Sequence, residues 1–280
     1  MTTEASDSDR IVYDTSHSRF RKAFDDVAQC IALLPVWIPL SAKGIAGQHR
    51  RLFFGLAWVP MSAVIYTYLL GYVFSWIRGH EYLEFTVYLF GGYMCWQFIQ
   101  GSVTGGFGLL TKNKAGILNS QLPFSYYVAK HVFELSVSFS LVFFFFLVAR
   151  IVSTNESWTN FYMIIPAMIL YLVTSAAATT FFSFVSIRFR DLEMPISTLM
   201  RIMFLFTPII WMLEDREGSR RALFVMFNPF YHVLEILRAP LIGDTVEPIN
   251  WIVSVSICIT FCVLAAVAFV RYRSRITYWI

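Results

Sequence analysis

The run from Trp251 to Val270 contains no charged residue. The hydrocarbon core of a bilayer is about 30 Å thick, and roughly 20 apolar residues in a helix cross it. A backbone in that solvent has to satisfy its own hydrogen bonds, which leaves helices and closed barrels as the spanning structures. Comparable runs recur at about Leu52–Ile77, Phe85–Leu110, Val128–Val152, Phe161–Ile187 and Ile196–Leu213. The expectation is an all-α membrane protein with six transmembrane helices. Composition agrees, because only 14% of the 280 residues are charged, whereas a soluble domain carries about 25%. The aromatic share is 18%, with 28 Phe. Those rings either line a passage or replace Leu against lipid.

Residues 1–51 form a distinct region, expected to be a cytoplasmic tail and an amphipathic interface helix, ahead of a six-span domain at 52–280. The first ten residues lack the basic start and apolar run of a cleavable signal, so the first span is expected to act as an uncleaved anchor. Between Ser16 and Leu34, Phe20, Phe24, Val27, Ile31 and Leu34 recur at helical spacing. Arg19, Arg21, Lys22, Asp25 and Asp26 occupy the other face. Such a helix suits the headgroup layer, with Pro35 as its stop, though it could also pack on a soluble partner.

Gly101 and Gly105 make a small-xxx-small pair that lets two helices approach closely. Thr174 to Thr180 is a second small-residue packing face. Lys130 and Glu134, four apart, can pair. Six spans place both termini on one side, and that side then holds fifteen Lys and Arg against six on the other. By the positive-inside rule both termini are expected in the cytoplasm.

The stretch between the fifth and sixth spans is unlike the others. After the charged break Glu214–Gly218, the segment Ala222–Arg238 is apolar but too short and too interrupted to cross. Asn228-Pro229 should divide it into two short helical pieces, since proline lacks a backbone donor and disfavours helical geometry in the residue before it. Glu235 and Arg238 fall three apart on one face, with Tyr231 four before Glu235. The expectation is a pair of re-entrant outer helices forming an exit gate from Asn228, Pro229, Tyr231, Glu235 and Arg238. A surface cap on the outer leaflet is the other reading.

Two further stripes suit a channel lining. Trp58, Met61, Ile65, Tyr68 and Tyr72 share a face of the first span, and Arg201, Phe204, Pro208 and Trp211 share one of the fifth. Ordinary helix packing would also account for both.

Enzymatic motifs are absent. The sequence has no Gly-x-x-x-x-Gly-Lys-Ser/Thr run, no His-Glu-x-x-His and no Gly-x-Ser-x-Gly. No catalytic residue, metal site or cofactor is assigned to this chain. Cys30, Cys95, Cys258 and Cys262 read as small core residues, and nothing suggests nucleic acid.

The order of these features resembles the membrane (permease) subunit of ABC exporters for polysaccharides and polyol phosphates, the O-antigen, capsule and teichoic-acid type. The resemblance rests on the turn Arg188-Phe189-Arg190-Asp191-Leu192, on Thr207-Pro208-Ile209-Ile210-Trp211, on the block from Phe227 to Gly243, and on the tail from Arg271 to Trp279. One departure is Ala42–Arg51, where the family commonly has a more basic segment. The resemblance implies a homodimer in the bacterial cytoplasmic (inner) membrane with two separate ATP-binding subunits, which supply ATP and Mg. It implies outward transport of a glycan on a polyprenyl (pyro)phosphate lipid, with Arg201 near the cytoplasmic mouth to meet the phosphate. Lys112, Lys114, Ile117, Leu118, Arg188 and Arg190 would couple to the ATPase. The alternatives are a lipid or small-drug ABC exporter permease and, from another class, an ion-coupled secondary carrier, which should show inverted repeats and paired intramembrane acids.

Overall fold

The computed structural model describes residues 19–49, 53–79, 81–119, 122–153, 158–212, 225–273 and 276. Among them all regular structure is helical. The chain runs through α1 (Arg19–Ala32), α2 (Leu34–His49), α3 (Trp58–Arg78), α4 (Tyr82–Gly106), α5 (Leu109–Lys112) and α6 (Lys114–Asn119). It continues through α7 (Phe124–Ser153), α8 (Ile164–Arg188), α9 (Glu193–Phe206), α10 (Pro229–Ile242) and α11 (Pro248–Tyr272). The charged break at 214–218, residues 222–224 at the start of the expected re-entrant pair and the basic residues Arg50, Arg51 and Arg275 lie outside the described residues.

Among the described residues, four helices are long and apolar enough to cross a membrane: Gly55–Ile77, Phe124–Val152, Phe161–Arg188 and Pro248–Tyr272. The pair α1–α2, bent by 69° at Leu33, would count as a broken fifth. Two of the six expected spans are not in this set, for different reasons. Helix α4 has 25 residues, but it packs against α3, α7, α8, α9 and α10. A helix so enclosed has little lipid to face, and its glycines, glutamines and hydroxyls lower its hydropathy. Helix α9 stops after 14 residues, about 21 Å at 1.5 Å per residue. Thr207 precedes a proline and is extended (ψ 136°), so the helix cannot continue.

The small-residue expectations hold. A Cβ at Gly101 would lie 2.5 Å from Leu135 Cδ2, and one at Gly105 2.3 Å from His131 Nε2, both on α7. At Gly106 it would meet the Thr179 carbonyl oxygen of α8 at 3.0 Å. Ser102 and Ser175 hydroxyls are 2.7 Å apart, and Thr179 Oγ1 donates to the Ser102 carbonyl at 3.1 Å. These bonds pin α4 to α8 without an unpaired polar group facing lipid.

A second apolar cluster, built from Ala23, Cys30, Trp37, Ile117, Tyr127 and Phe269 among others, gathers α1, α2, α6, α7 and α11 at one end of the bundle. Helix α1 leaves Phe20, Phe24, Val27 and Ile31 exposed, the apolar stripe read from the sequence. Asp26 departs from that reading. Instead of facing headgroups it is buried, with Oδ1 accepting from Ser125 N–H (3.0 Å) and Oγ–H (2.6 Å). Its Oδ2 accepts from Phe124 N–H (3.2 Å) and from Arg273 Nε and Nη2 (2.9 and 2.8 Å). Helix α7 starts with two orphan backbone donors, and Asp26 from α1 caps them from outside the helix. Pro35 acts less as a stop than as a first-turn residue of α2, where its missing N–H is harmless.

Candidate functional site

The break after α9 exposes backbone groups at the depth of the bundle, and their partners define a site. Thr207 closes the helix by donating N–H to the Met203 carbonyl (2.9 Å) and its hydroxyl to the same oxygen (2.8 Å). The carbonyls of Pro208 and Trp211 then have no helical donor. Tyr88 of α4 donates its hydroxyl to both, at 2.9 and 3.3 Å, and Arg238 Nη1 donates to Pro208. Trp211 turns its Nε1–H back to the Leu205 carbonyl, 3.1 Å away. Irregular backbone at membrane depth is tolerated when protein re-satisfies it in this way.

Helix α10 supplies the other wall. Asn228 caps it, accepting from Phe230 N–H at 3.0 Å, while its amide donates to Thr207 Oγ1 at 2.9 Å. Pro229 stands in the first turn, where it needs no donor. One residue pair thus starts α10 and ties it to the end of α9. The expected pairing of Glu235 with Arg238 is present, with Arg238 Nε and Nη2 donating to Glu235 Oε2 at 3.1 and 2.5 Å. The guanidinium also lies 4.4 Å from the Tyr88 ring centroid. A Cβ at Gly92 would be in ordinary contact with Arg238 Cδ at 3.5 Å and slightly tight against Ile209 Cγ2 at 3.3 Å. His232 uses both ring nitrogens, against Asn250 Oδ1 (2.7 Å) and the Met226 carbonyl (2.8 Å), and so fastens α10 to α11. That arrangement leaves no ring nitrogen for catalysis. Tyr231 is half-buried beside His232. In the loop after α10, burial and the nearby Glu235 hold the Asp244 carboxyl above its ordinary range.

The stripes fare unequally. On α3, Trp58, Ile65 and Tyr72 are exposed and Met61 and Tyr68 half-buried, so that face is largely uncovered within one chain. The stripe on the fifth span is interrupted. Arg201 and Phe204 lie on α9, but Pro208 and Trp211 lie past its end and do not continue a helical face. The extended Thr207 is the reason. Of the residues expected to couple to an ATPase, Lys112, Lys114, Leu118, Arg188 and Arg190 are exposed, whereas Ile117 is buried in the end cluster. Ile117 anchors its short helix inward, and Leu118 is its outward apolar residue.

Tyr88 was missed by the sequence reading. Its spacing on α4 marks only a buried aromatic, and its partners lie 120 and 123 residues away. Among the described residues, no group of three His, Cys, Asp or Glu side chains could hold a metal ion.

No family model matches the chain. It is 21% identical over 205 residues to the O-antigen export system permease protein RfbA of Myxococcus xanthus, covering 72% of this chain and 78% of that one. The protein of the same name from Klebsiella pneumoniae is 20% identical over 249 residues, 86% of this chain and 94% of its own. The chain resembles O-antigen export permeases. The likeness to these permeases extends over most of each chain.

Proposed function

We propose that this chain is the transmembrane subunit of an ABC exporter that moves a polyprenyl-(pyro)phosphate-linked polysaccharide outward across the bacterial cytoplasmic membrane. ATP hydrolysis belongs to two partner subunits, and the permease works as a homodimer with both termini cytoplasmic. The observation that supports this reading is the likeness to two O-antigen export permeases over 72% and 86% of this chain. Six crossings follow if α4 is the protein-enclosed second span and α9 with the extended segment after it is the fifth. Helix α10 is then the second arm of a re-entrant pair, rising from the buried Asn228 to Gly243. Tyr231, Glu235 and Arg238 on that arm form the exit gate. The uncovered face of α3 and the Arg201–Phe204 face of α9 line the passage, with Arg201 near the lipid phosphate. The segment α5–α6 and the turn Arg188–Arg190 receive the ATPase.

The test is deletion of the gene together with affinity purification of the tagged protein. The expected result is loss of surface glycan, accumulation of its lipid-linked precursor, and copurification of a subunit with a nucleotide-binding site. An unchanged surface glycan, or purification of a functional carrier with no ATPase partner, would overturn the proposal.

A further inference from the structure

Two cavities flank α4, and they differ in chemistry. One, of 290 Å³, lies among α4, α8, α9, α10 and α11, walled by residues such as Phe98, Met200, Phe230 and Val233. Its Ser102 and Ser175 hydroxyls are spent on each other. The other, of 350 Å³, lies among α3, α4 and α7 and includes Ser62, Tyr93, Gln97, Gly101 and Ser138.

This second cavity opens beside the one uncovered strip on the inner half of α4. Residues 93, 97, 100 and 104 fall within about 60° of one another on a helix of 3.6 residues per turn. Gln97 is exposed, and Tyr93, Gln100 and Thr104 are half-buried. Met94, Cys95, Trp96, Phe98, Ile99 and Val103 on the rest of those turns are buried. Lipid contact does not explain the strip. On α11 the exposed large residues are aliphatic, Ile252, Val255, Ile259 and Val263 among them, and the exposed hydroxyls of Ser256 and Thr260 are spent on carbonyls one turn back, whereas here the exposed residue is an amide, Gln97, beside a half-buried amide and phenol. An amide facing hydrocarbon costs several kcal/mol, so the strip faces water or a polar ligand.

The strip is arranged for something uncharged and rich in hydroxyls. Gln97 Nε2 donates to the Tyr93 hydroxyl at 2.5 Å, which leaves its Oε1 as an acceptor. Gln100 Oε1 accepts from Trp96 Nε1 at 3.0 Å, which leaves its NH2 as a donor. The rings of Tyr66 and Tyr93 lie 4.8 Å apart at the strip's edge, tilted by 36°. Neutral donors and acceptors beside aromatic faces match a sugar, whose hydroxyls ring an apolar C–H face. No charged side chain lines the cavity among the described residues, so a neutral chain could slide past this wall without being held.

We propose that Gln97 and Gln100, with Tyr93 and Tyr66, form a carbohydrate-contact track along α4, between α3 and α9. The track rests on the exporter reading above and adds to it the residues that touch sugar.

The experiment uses the full exporter in vesicles with the lipid-linked glycan extracted from the host strain. Gln97→Leu and Gln100→Leu keep size and remove hydrogen bonds. Each is expected to slow glycan transport about fivefold, the equivalent of one hydrogen bond of about 1 kcal/mol, with unchanged insertion and ATPase copurification. In a background with the four native cysteines replaced, Gln97→Cys and Gln100→Cys should react with a water-soluble thiol reagent, and the glycan should protect them. Ile259→Cys should stay unreactive. Failure of the wild-type protein to transport the glycan overturns the exporter reading itself. Wild-type transport with undiminished rates in both leucine variants overturns the track alone, as does cysteine labelling that the glycan leaves unchanged. Glycan-independent disulfide crosslinking of Gln97→Cys between two copies would assign the strip to a dimer contact and also overturn it.

Discussion

Glu235→Ala isolates the energetics of the buried ion pair. The Arg238 side chain is 3% exposed and that of Glu235 15%, so the substitution strands a guanidinium that keeps the Pro208 carbonyl and the Tyr88 ring but loses its counter-charge. Removing one member of a buried pair costs about 3–5 kcal/mol. Because Glu235 is partly exposed, water can enter the vacated space, and the lower end, about 3 kcal/mol, is expected. The double variant Glu235→Ala/Arg238→Met should recover about 2 kcal/mol of this, since an apolar replacement removes the stranded charge. Arg238→Met does not orphan the Pro208 carbonyl, which retains the Tyr88 hydroxyl. The assay is thermal unfolding of the purified protein in lipid nanodiscs. For a chain of this size about 3 kcal/mol corresponds to roughly 6–12 °C. A Glu235→Ala protein that melts within 2 °C of wild type, or a double variant no more stable than the single, would refute the reasoning. Export separates the gate from a surface cap. A gate leaks or loses transport in Glu235→Ala while the ATPase still assembles. Normal export and permeability in both Glu235→Ala and Arg238→Ala would exclude it.

Two further expectations concern the opposite end of the bundle. Leu118→Asp should leave folding intact and abolish ATPase copurification and export, whereas Ile117→Asp should destabilise the protein by placing a carboxylate in the end cluster; pull-down yield and melting temperature distinguish the two, and normal assembly of Leu118→Asp removes that segment from the interface. Asp26→Ala should lower stability by about 3 kcal/mol, because two backbone donors and a guanidinium lose their acceptor, while Asp26→Asn, whose single carbonyl oxygen can keep the two Ser125 donors but whose NH2 then faces Phe124 N–H and the Arg273 guanidinium, should lose somewhat less in the same melting assay.

How far the chain could be read from its sequence depended on how far each interaction reaches along it. The apolar runs, the glycine pair at Gly101 and Gly105, and the Glu235–Arg238 pair were all legible. The first rests on the hydrocarbon thickness, and the others on neighbours one helical turn apart. Asn228-Pro229 was legible as the start of a helix for the same reason. Asp26 was placed on the wrong surface, because helical spacing reports which residues share a face and not what covers that face. Its partners at Phe124, Ser125 and Arg273 are 98 or more residues away.

The candidate site divides along the same line. Helical structure, enough apolar length for a membrane and the break after the fifth run can all be read from the order of residues. Those properties follow from the cost of charge and unpaired backbone in hydrocarbon. Packing between distant segments is what brings Tyr88 and Arg238 to the broken end of α9, turns Ile117 inward, and leaves Gln97 and Gln100 on the uncovered strip of α4. In a helix of apolar and small residues, the side facing lipid, protein or water is set by the neighbours that pack against it, and those neighbours come from distant parts of the chain.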